Sequence, residues 1–375
     1  MAERKAVKTV SKGASEPVQQ QNKKARVKLR PTKEYSVREA FGIDLGYEIE
    51  EDESGNPVLN ASGKPEVKRY KSGKRKGEPI PLDGKVLGFT KPGPETPQVK
   101  EEYVFDRDAT TNLLIGMECG DRILITGPTG SGKTTLVEQI AARLNFNFVK
   151  ISFDSGITRD DLVGCHQYRP GEGTVFQEGI LPYAMRLPGT IILFDEWDTI
   201  GSECSFVLQR VLQKDDGCLQ ILEKGGELIQ PHPQNVFTAT ANTIGLGDET
   251  GLYAQGTNVQ NYAQLNRYGV TIKLEYLPLE LEKEMLRRRF TEADGTATLH
   301  DTEINAFCRA ISTVRDGYAN GTLSVPLSPR DLINWAEKYL VMGDHMAAAK
   351  ICFLNRMLQD DSIAVQGMIQ RSFEG

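Results

Sequence analysis

Cysteine, histidine and long apolar runs are what this 375-residue chain has little of. Its six cysteines (Cys119, Cys165, Cys204, Cys218, Cys308, Cys352) include no Cys-x-x-Cys pair, and its four histidines (His166, His232, His300, His345) show no ligand spacing. That excludes the usual zinc frameworks and a disulfide-knotted scaffold, and it suits a reducing compartment where thiols are small buried hydrophobes. No apolar run approaches the roughly 18 residues that a bilayer-spanning helix needs. Residues 1–8 lack the apolar stretch of a secretory signal. The expectation is a cytoplasmic protein with no membrane span and no metal site built by the chain alone.

What is present is an ordinary globular composition: 39% hydrophobic, 26% charged, and a net charge of −6. This is enough apolar material for a sizeable core, and the length predicts about two domains, or one with an appendage. Residues 1–34 hold ten basic and three acidic residues with little to bury, so they read as a disordered basic tail. Such a tail suits nucleic acid, an acidic partner, or no specific ligand at all. Tyr35–Asp44 predicts one short amphipathic helix, capped by Ser36 and ended by Gly42. Residues 46–100 are rich in Gly, Pro and charge, with a basic cluster at 68–76 expected on a turn between short strands.

After Tyr103 five continuous apolar runs appear: 122–126, 146–153, 190–194, 236–241 and 270–276. Continuous rather than alternating apolarity suits strands buried on both faces of a parallel sheet. Helical stretches lie between the first and second runs (133–144) and between the third and fourth (206–212), which predicts a doubly wound α/β domain. From Leu279 the period turns helical, with segments expected at 281–290, 304–314, 330–342, 346–358 and 363–373. Ser328-Pro329 is a good helix start.

The strongest chemical signal is Gly127-Pro128-Thr129-Gly130-Ser131-Gly132-Lys133-Thr134, followed by Thr135. It matches G-x-x-x-x-G-K-[ST] directly after a strand and at a helix start, the context this phosphate-binding loop requires. Backbone N–H groups and the helix N-terminus would face the phosphates. Lys133 would reach the β- and γ-phosphates, and Thr134 would ligate Mg²⁺. A Gly-rich turn explains the glycines but not the lysine. The second signal, Asp195-Glu196 at the end of an apolar strand, is costly unless something positive meets it. Asp195 would hold Mg²⁺ through water, and Glu196 would polarise the attacking water; the plainer reading is a helix-capping Asp. Asn242, at the tip of the next strand, is placed either to hold the lytic water or simply to form a turn. Arg267 and Arg330 are candidates for γ-phosphate contacts, from a neighbouring subunit and from the same chain respectively; each is also a plausible solvated surface arginine.

In this order the signals resemble an AAA+ ATPase. The strings Asp154–Gly164, Phe176–Pro182, Ala239–Tyr253, Tyr35–Asp44, Tyr103–Asp108 and Ser328–Glu337 resemble, more specifically, CobS-type cobaltochelatase subunits of the MoxR branch. The resemblance covers residues 35–45 and about 103–375, with Asn266 where the family usually has Asp before the trans arginine. It implies a P-loop NTPase core over 103–277 with a five-stranded parallel sheet of order 5-1-4-3-2. It also implies a helix-2 insertion at about 164–180, a pre-sensor hairpin at about 217–233 and a helical lid over 278–375. Residues 35–102 are left as an accessory region. Implied too are ATP and Mg²⁺, a homo-hexameric ring, sensor roles for Asn242 and Arg330, and a trans role for Arg267. CobT-like adhesion-domain and CobN-like chelatase partners follow, with ATP turnover driving Co²⁺ insertion into a corrin precursor. Two other readings compete: a MoxR-type remodelling ATPase with another client, and a nucleic-acid motor. The acidic net charge, and hairpins with few basic residues beyond Arg169 and Lys224, speak against the last.

Overall fold

The computed structural model describes residues 29–52, 56–60, 62–72, 76–80, 82–154, 156–243, 262–292 and 295–374. Most of the expected basic tail, and residues 244–253 of the string beginning at Ala239, lie outside the described residues.

The chain enters through β1 (Thr32–Ser36), turns through α1 (Val37–Phe41), and pairs β1 antiparallel with β2 (Lys85–Phe89). Two expectations are corrected here. The expected tail does not extend to residue 34: the Arg30 guanidinium lies 4.1 Å over the Phe89 ring and donates to Lys91 O (2.7 Å) and Asn145 O (2.9 Å). The expected helix over 35–44 is confined to Val37–Phe41, because Ser36 stays extended to cap Glu39 N and Tyr35 joins the strand, its hydroxyl donating to Phe89 O at 2.7 Å. Gly42 does end the helix, at φ +67, in the left-handed conformation glycine tolerates best.

Between α1 and β2 the chain forms an arm of isolated bridges rather than strands. Its backbone hydrogen bonds close two three-membered rings. Val58 N donates to Glu50 O, Glu50 N to Glu66 O, and Glu66 N to Val58 O, at 2.7–2.8 Å. One layer along, Lys68 N donates to Glu48 O, Glu48 N to Ile80 O and Ile80 N to Lys68 O, at 2.8–2.9 Å. The motif Gly-x-Pro recurs at 55–57, 63–65 and 77–79, a short repeat that sequence reading passed over. Each proline lacks an N–H, and Pro57, Pro65 and Pro79 each sit in a single bridge where a ladder would need a donor.

The core then runs α2 (Arg107–Glu118), β3 (Ile123–Thr126), α3 (Lys133–Arg143), β4 (Asn147–Ser152), α4 (Arg159–Val163), β5 (Gly164–Arg169), β6 (Gly173–Glu178), α5 (Ile180–Arg186) and β7 (Thr190–Asp195). It continues through α6 (Ser202–Val211), β8 (Leu219–Ile221), β9 (Glu227–Ile229), β10 (Val236–Ala241), α7 (Tyr262–Leu265) and β11 (Val270–Lys273). The central sheet is wholly parallel with order β11-β3-β10-β7-β4, the expected 5-1-4-3-2 in chain order. Alternate strand residues serve opposite faces. Ile123, Ile125, Ile191 and Leu193 pack on the side of α1–α3, whereas Leu124, Ile192, Phe194 and Phe237 pack on the side of α5 and α6. Burial on both faces is why the strands read as continuous apolar runs. β5–β6 and β8–β9 are antiparallel hairpins, within 164–180 and 217–233 respectively.

α8 (Leu279–Arg289), α9 (Asp301–Ala319), α10 (Pro329–Met342), α11 (His345–Cys352) and α12 (Gln359–Glu374) enclose a core of their own, with Phe307 packed edge-on against Trp335 at 4.5 Å. The helix expected over 346–358 is broken: α11 stops at Cys352, and a 3₁₀ turn at Leu354–Arg356 leads into α12. At the break Phe353, only 1% exposed, turns inward onto the Trp335 ring. Ser328 caps α10 in a reciprocal box with Asp331, as the Ser-Pro start predicts.

Candidate functional site: the phosphate loop and its surroundings

The loop after β3 is shaped by what passes beside it. A Cβ on Gly127 (φ +151) would sit 1.9 Å from Leu274 O, just beyond the end of β11, so only glycine fits. Gly130 (φ +78) lies under Ser328, whose Cβ and Oγ a side chain there would meet at 2.6 and 2.7 Å. The first turn of α10 therefore rests directly on the loop. Gly132 (φ +91) is the N-cap of α3, so the helix N-terminus opens toward the loop.

Lys133 turns back into this loop. Its ammonium donates to Gly127 O (2.7 Å), Pro128 O (3.0 Å) and Asn242 Oδ1 (2.8 Å). Burial pulls its pKa down to about 8, against the opposing pull of Asp198, Asp195 and Glu196. Thr134 Oγ1 donates to Asp195 Oδ1 at 2.7 Å, and Thr240 Oγ1 donates to the same oxygen. Lys150 on β4 approaches Asp195 Oδ2 at 3.8 Å. Glu196 is exposed and takes the left-handed conformation (φ 56) at the end of β7, with its N–H donated to Thr240 Oγ1 at 3.2 Å. Such a conformation in a non-glycine residue is uncommon and turns the side chain out of the strand. Trp197, which follows it, is buried.

These groups border one cavity of about 290 Å³. Of the residues expected from sequence, Thr129, Gly130, Gly132, Lys133, Thr134, Thr135, Asp195, Glu196, Asn242 and Arg330 line it. Gly127 and Pro128 contribute carbonyls to the lysine rather than lining, and Ser131 faces an adjoining space. Arg267 does not reach the cavity. It follows α7 and, among the described residues, makes no side-chain hydrogen bond or ion pair; its Nε is buried without a partner. Tyr268, the next residue, packs edge-on at 5.4 Å against Trp197, tying the arginine's loop to the acidic pair's loop within one subunit.

Sequence reasoning missed several neighbours. Asp198 is fully buried, and its Oδ2 accepts from Asn242 N and Thr243 N at 3.0 Å each, fixing the turn that presents Asn242. Its place three residues after Asp195 was the available signal. An adjoining cavity of about 400 Å³ lies between the core and the helical bundle, lined by Tyr103, Val104, Leu274, Leu277, Met285 and Ile333 with Gly132 and Arg330. It joins segments far apart in sequence, so no local pattern reveals it. Burial holds the Tyr103 hydroxyl neutral by pushing its pKa up. Thr134 and Asp195 make a fitting half-shell for Mg²⁺, one hydroxyl beside one carboxylate. Among the described residues no three His, Cys, Asp or Glu converge elsewhere into a metal site. A cation held here needs substrate phosphates and water for its remaining positions, which is how Mg²⁺ is usually bound.

Residues 122–267 match the family model described as AAA domain (dynein-related subfamily). The aerobic cobaltochelatase subunit CobS of Sinorhizobium sp is 36% identical over 300 residues, spanning 78% of this chain and 88% of that protein. The chain belongs to the CobS family. It is therefore an AAA+ ATPase. Protein NorQ of Paracoccus denitrificans (strain Pd 1222) is 31% identical over 146 residues, covering 39% of this chain and 50% of that protein. A solved structure of the Thermotoga maritima RuvB Holliday junction branch migration motor aligns with a TM-score of 0.42 at 16% identity, over 71% of this chain and 74% of that one.

Proposed function

We propose that this chain is the ATP-driven motor of a cobalt-inserting assembly, a ring of identical subunits with nucleotide at each interface. Residues 103–277 are the ATPase core, 278–375 the lid and 35–102 an accessory region. The triphosphate occupies the 290 Å³ cavity and its nucleoside the adjoining apolar one, so that Gly130, Gly132 and Arg330, which border both, sit where the two parts join. Phosphate oxygens replace Gly127 O, Pro128 O and Asn242 Oδ1 around the Lys133 ammonium. Thr134 and Asp195 hold Mg²⁺, the latter through water; the metal offsets phosphate charge. Glu196, exposed at the rim, polarises the attacking water, and Asn242 orients it once Lys133 has turned to phosphate. Arg330 contacts the γ-phosphate from the same chain. Arg267, outside the cavity and without an ion partner among the described residues, serves the neighbouring subunit's γ-phosphate, a role worth roughly 10³–10⁵ in rate where it has been dissected.

The observation that carries the cobalt reading is identity of 36% sustained over 88% of a CobS subunit, far beyond the ATPase motif. On this reading a CobT-like adhesion-domain protein and a CobN-like chelatase complete the assembly, and Co²⁺ is cargo delivered to a corrin. Co-purification with such partners, followed by cobalt insertion that requires ATP hydrolysis, tests it. Insertion at equal rate with the Glu196→Gln chain refutes it. The second reading, remodelling of another metal-site protein, is favoured by the likeness to NorQ over 146 residues; ATPase stimulation by an adhesion-domain partner without corrin would select it. A nucleic-acid motor is the least supported. Arg169 pairs with Glu172, and Lys224 lies 2.8 Å from both Glu178 and Glu227, so the hairpin cations are already neutralised.

A further inference from the structure

Arg315, near the C-terminal end of α9, borders neither nucleotide cavity, yet all its polar groups are committed. Nη1 and Nη2 donate to the two oxygens of Glu282 at 3.0 and 2.8 Å, and Nε donates to Leu327 O at 2.8 Å. The guanidinium plane lies 4.4 Å over the ring of Tyr276. Glu282 is 1% exposed and Arg315 15%. Three pieces of chain meet on this one side chain. Tyr276 belongs to the linker between β11 and α8, and its hydroxyl reaches Thr129 O of the phosphate loop at 3.4 Å. Glu282 is on α8. Leu327 immediately precedes Ser328, which lies against Gly130, and Arg330 follows two residues later.

A buried ion pair is poorly explained by stability, since taking both charges out of water offsets much of their attraction, and apolar replacements are often neutral or better. The bundle also has its own aromatic core around Phe307 and Trp335. What a bidentate, stacked guanidinium does supply is fixed geometry. We infer that Arg315 is a positioning residue for the ATPase reaction, locking the linker to the Leu327–Arg330 turn so that phosphate loop and lid move as one body and Arg330 is held over the phosphates. This rests on the nucleotide site proposed above.

The test follows amide hydrogen exchange with and without ADP in the full chain, together with steady-state ATPase rates. In the unmodified chain ADP slows exchange at both 127–134 and 328–333. In the Glu282→Leu/Arg315→Met double variant, which removes the pair without stranding a charge, protection at 127–134 persists and protection at 328–333 is lost. Its kcat/KM falls about 10- to 100-fold, the scale of a small misplacement of a reacting group. Adding Arg330→Ala to it costs little more. Should the double variant not fold, Arg315→Lys gives the same reading, because an ammonium cannot serve Glu282 in bidentate fashion and Leu327 O together. Equal lid protection and unchanged kcat/KM in either variant overturn the inference. Absence of protection at 127–134 in the unmodified chain instead overturns the nucleotide site itself, and this inference with it.

Discussion

Lys133 is the residue where burial and function meet. Its ammonium is held among carbonyls, and burial pulls its pKa down to about 8, well below that of an ordinary lysine. The unfolded chain keeps that proton up to the ordinary value, so from this group alone the nucleotide-free protein gains stability as pH rises from about 8. Nucleotide reverses the trend. Phosphate charge favours the ammonium and raises its pKa, so binding takes up a proton at about pH 8.5 and almost none at about pH 6.5. Affinity for ADP should weaken as pH rises through about 8, by at most about tenfold per pH unit. Calorimetric titrations in two buffers of different ionisation enthalpy measure the uptake directly; equal proton uptake at both pH values contradicts the expectation. The phosphate-loop residues were legible in the sequence because the chemistry demands glycine, lysine and hydroxyl at fixed spacing. Asp198 left only its place three residues after Asp195 as a signal, too little to mark a buried carboxylate that secures two amides.

Among the elements, the contact between Gly130 and the first turn of α10 is the most exacting. Gly130→Ala brings the ordinary cost of a left-handed alanine, about 1–2 kcal/mol, and also drives a methyl into Ser328. Gly42→Ala has the first penalty without the second, because nothing lies within 4 Å of its Cβ position. Both variants should lose a few degrees in Tm, yet only Gly130→Ala should raise the KM for ATP, and by about tenfold or more through displacement of Arg330. The five sheet strands were readable because burial on both faces leaves unbroken apolar runs, and the sheet order followed from family resemblance. β1 and β2 were not readable. β2 (Lys-Val-Leu-Gly-Phe) is short and Gly-interrupted, and β1 (Thr-Lys-Glu-Tyr-Ser) is almost wholly polar; both are held by Arg30 and Tyr35 reaching distant carbonyls. The break at Phe353 was equally hidden, since Ala347 to Met357 keeps a helical apolar spacing while packing on Trp335 decides otherwise.

At the scale of the whole molecule, one subunit gathers the expected catalytic and metal-holding groups around its cavity, with Arg267 the exception. Rings made only of Arg267→Ala or only of Glu196→Gln subunits should hydrolyse little ATP. Mixed one to one, they should regain about a quarter of wild-type turnover, because a head-to-tail ring then pairs an intact glutamate with a neighbour's intact arginine at about one interface in four. No recovery on mixing, with ring assembly verified by sedimentation, would remove Arg267 from its proposed place.

The arm between α1 and β2 begins and ends at one point, for Leu82 N donates to Gly46 O at 2.9 Å. Excising 47–81 and splicing the stumps with two glycines should therefore leave ATP turnover and Tm near wild type. The two hydrogen-bonded rings occupy the backbone donors of Glu48, Glu50, Val58, Glu66, Lys68 and Ile80, which leaves those positions no free edge for a passing strand. Changes of length or charge in this outgrowth should accordingly pass unnoticed by the sheet beneath it.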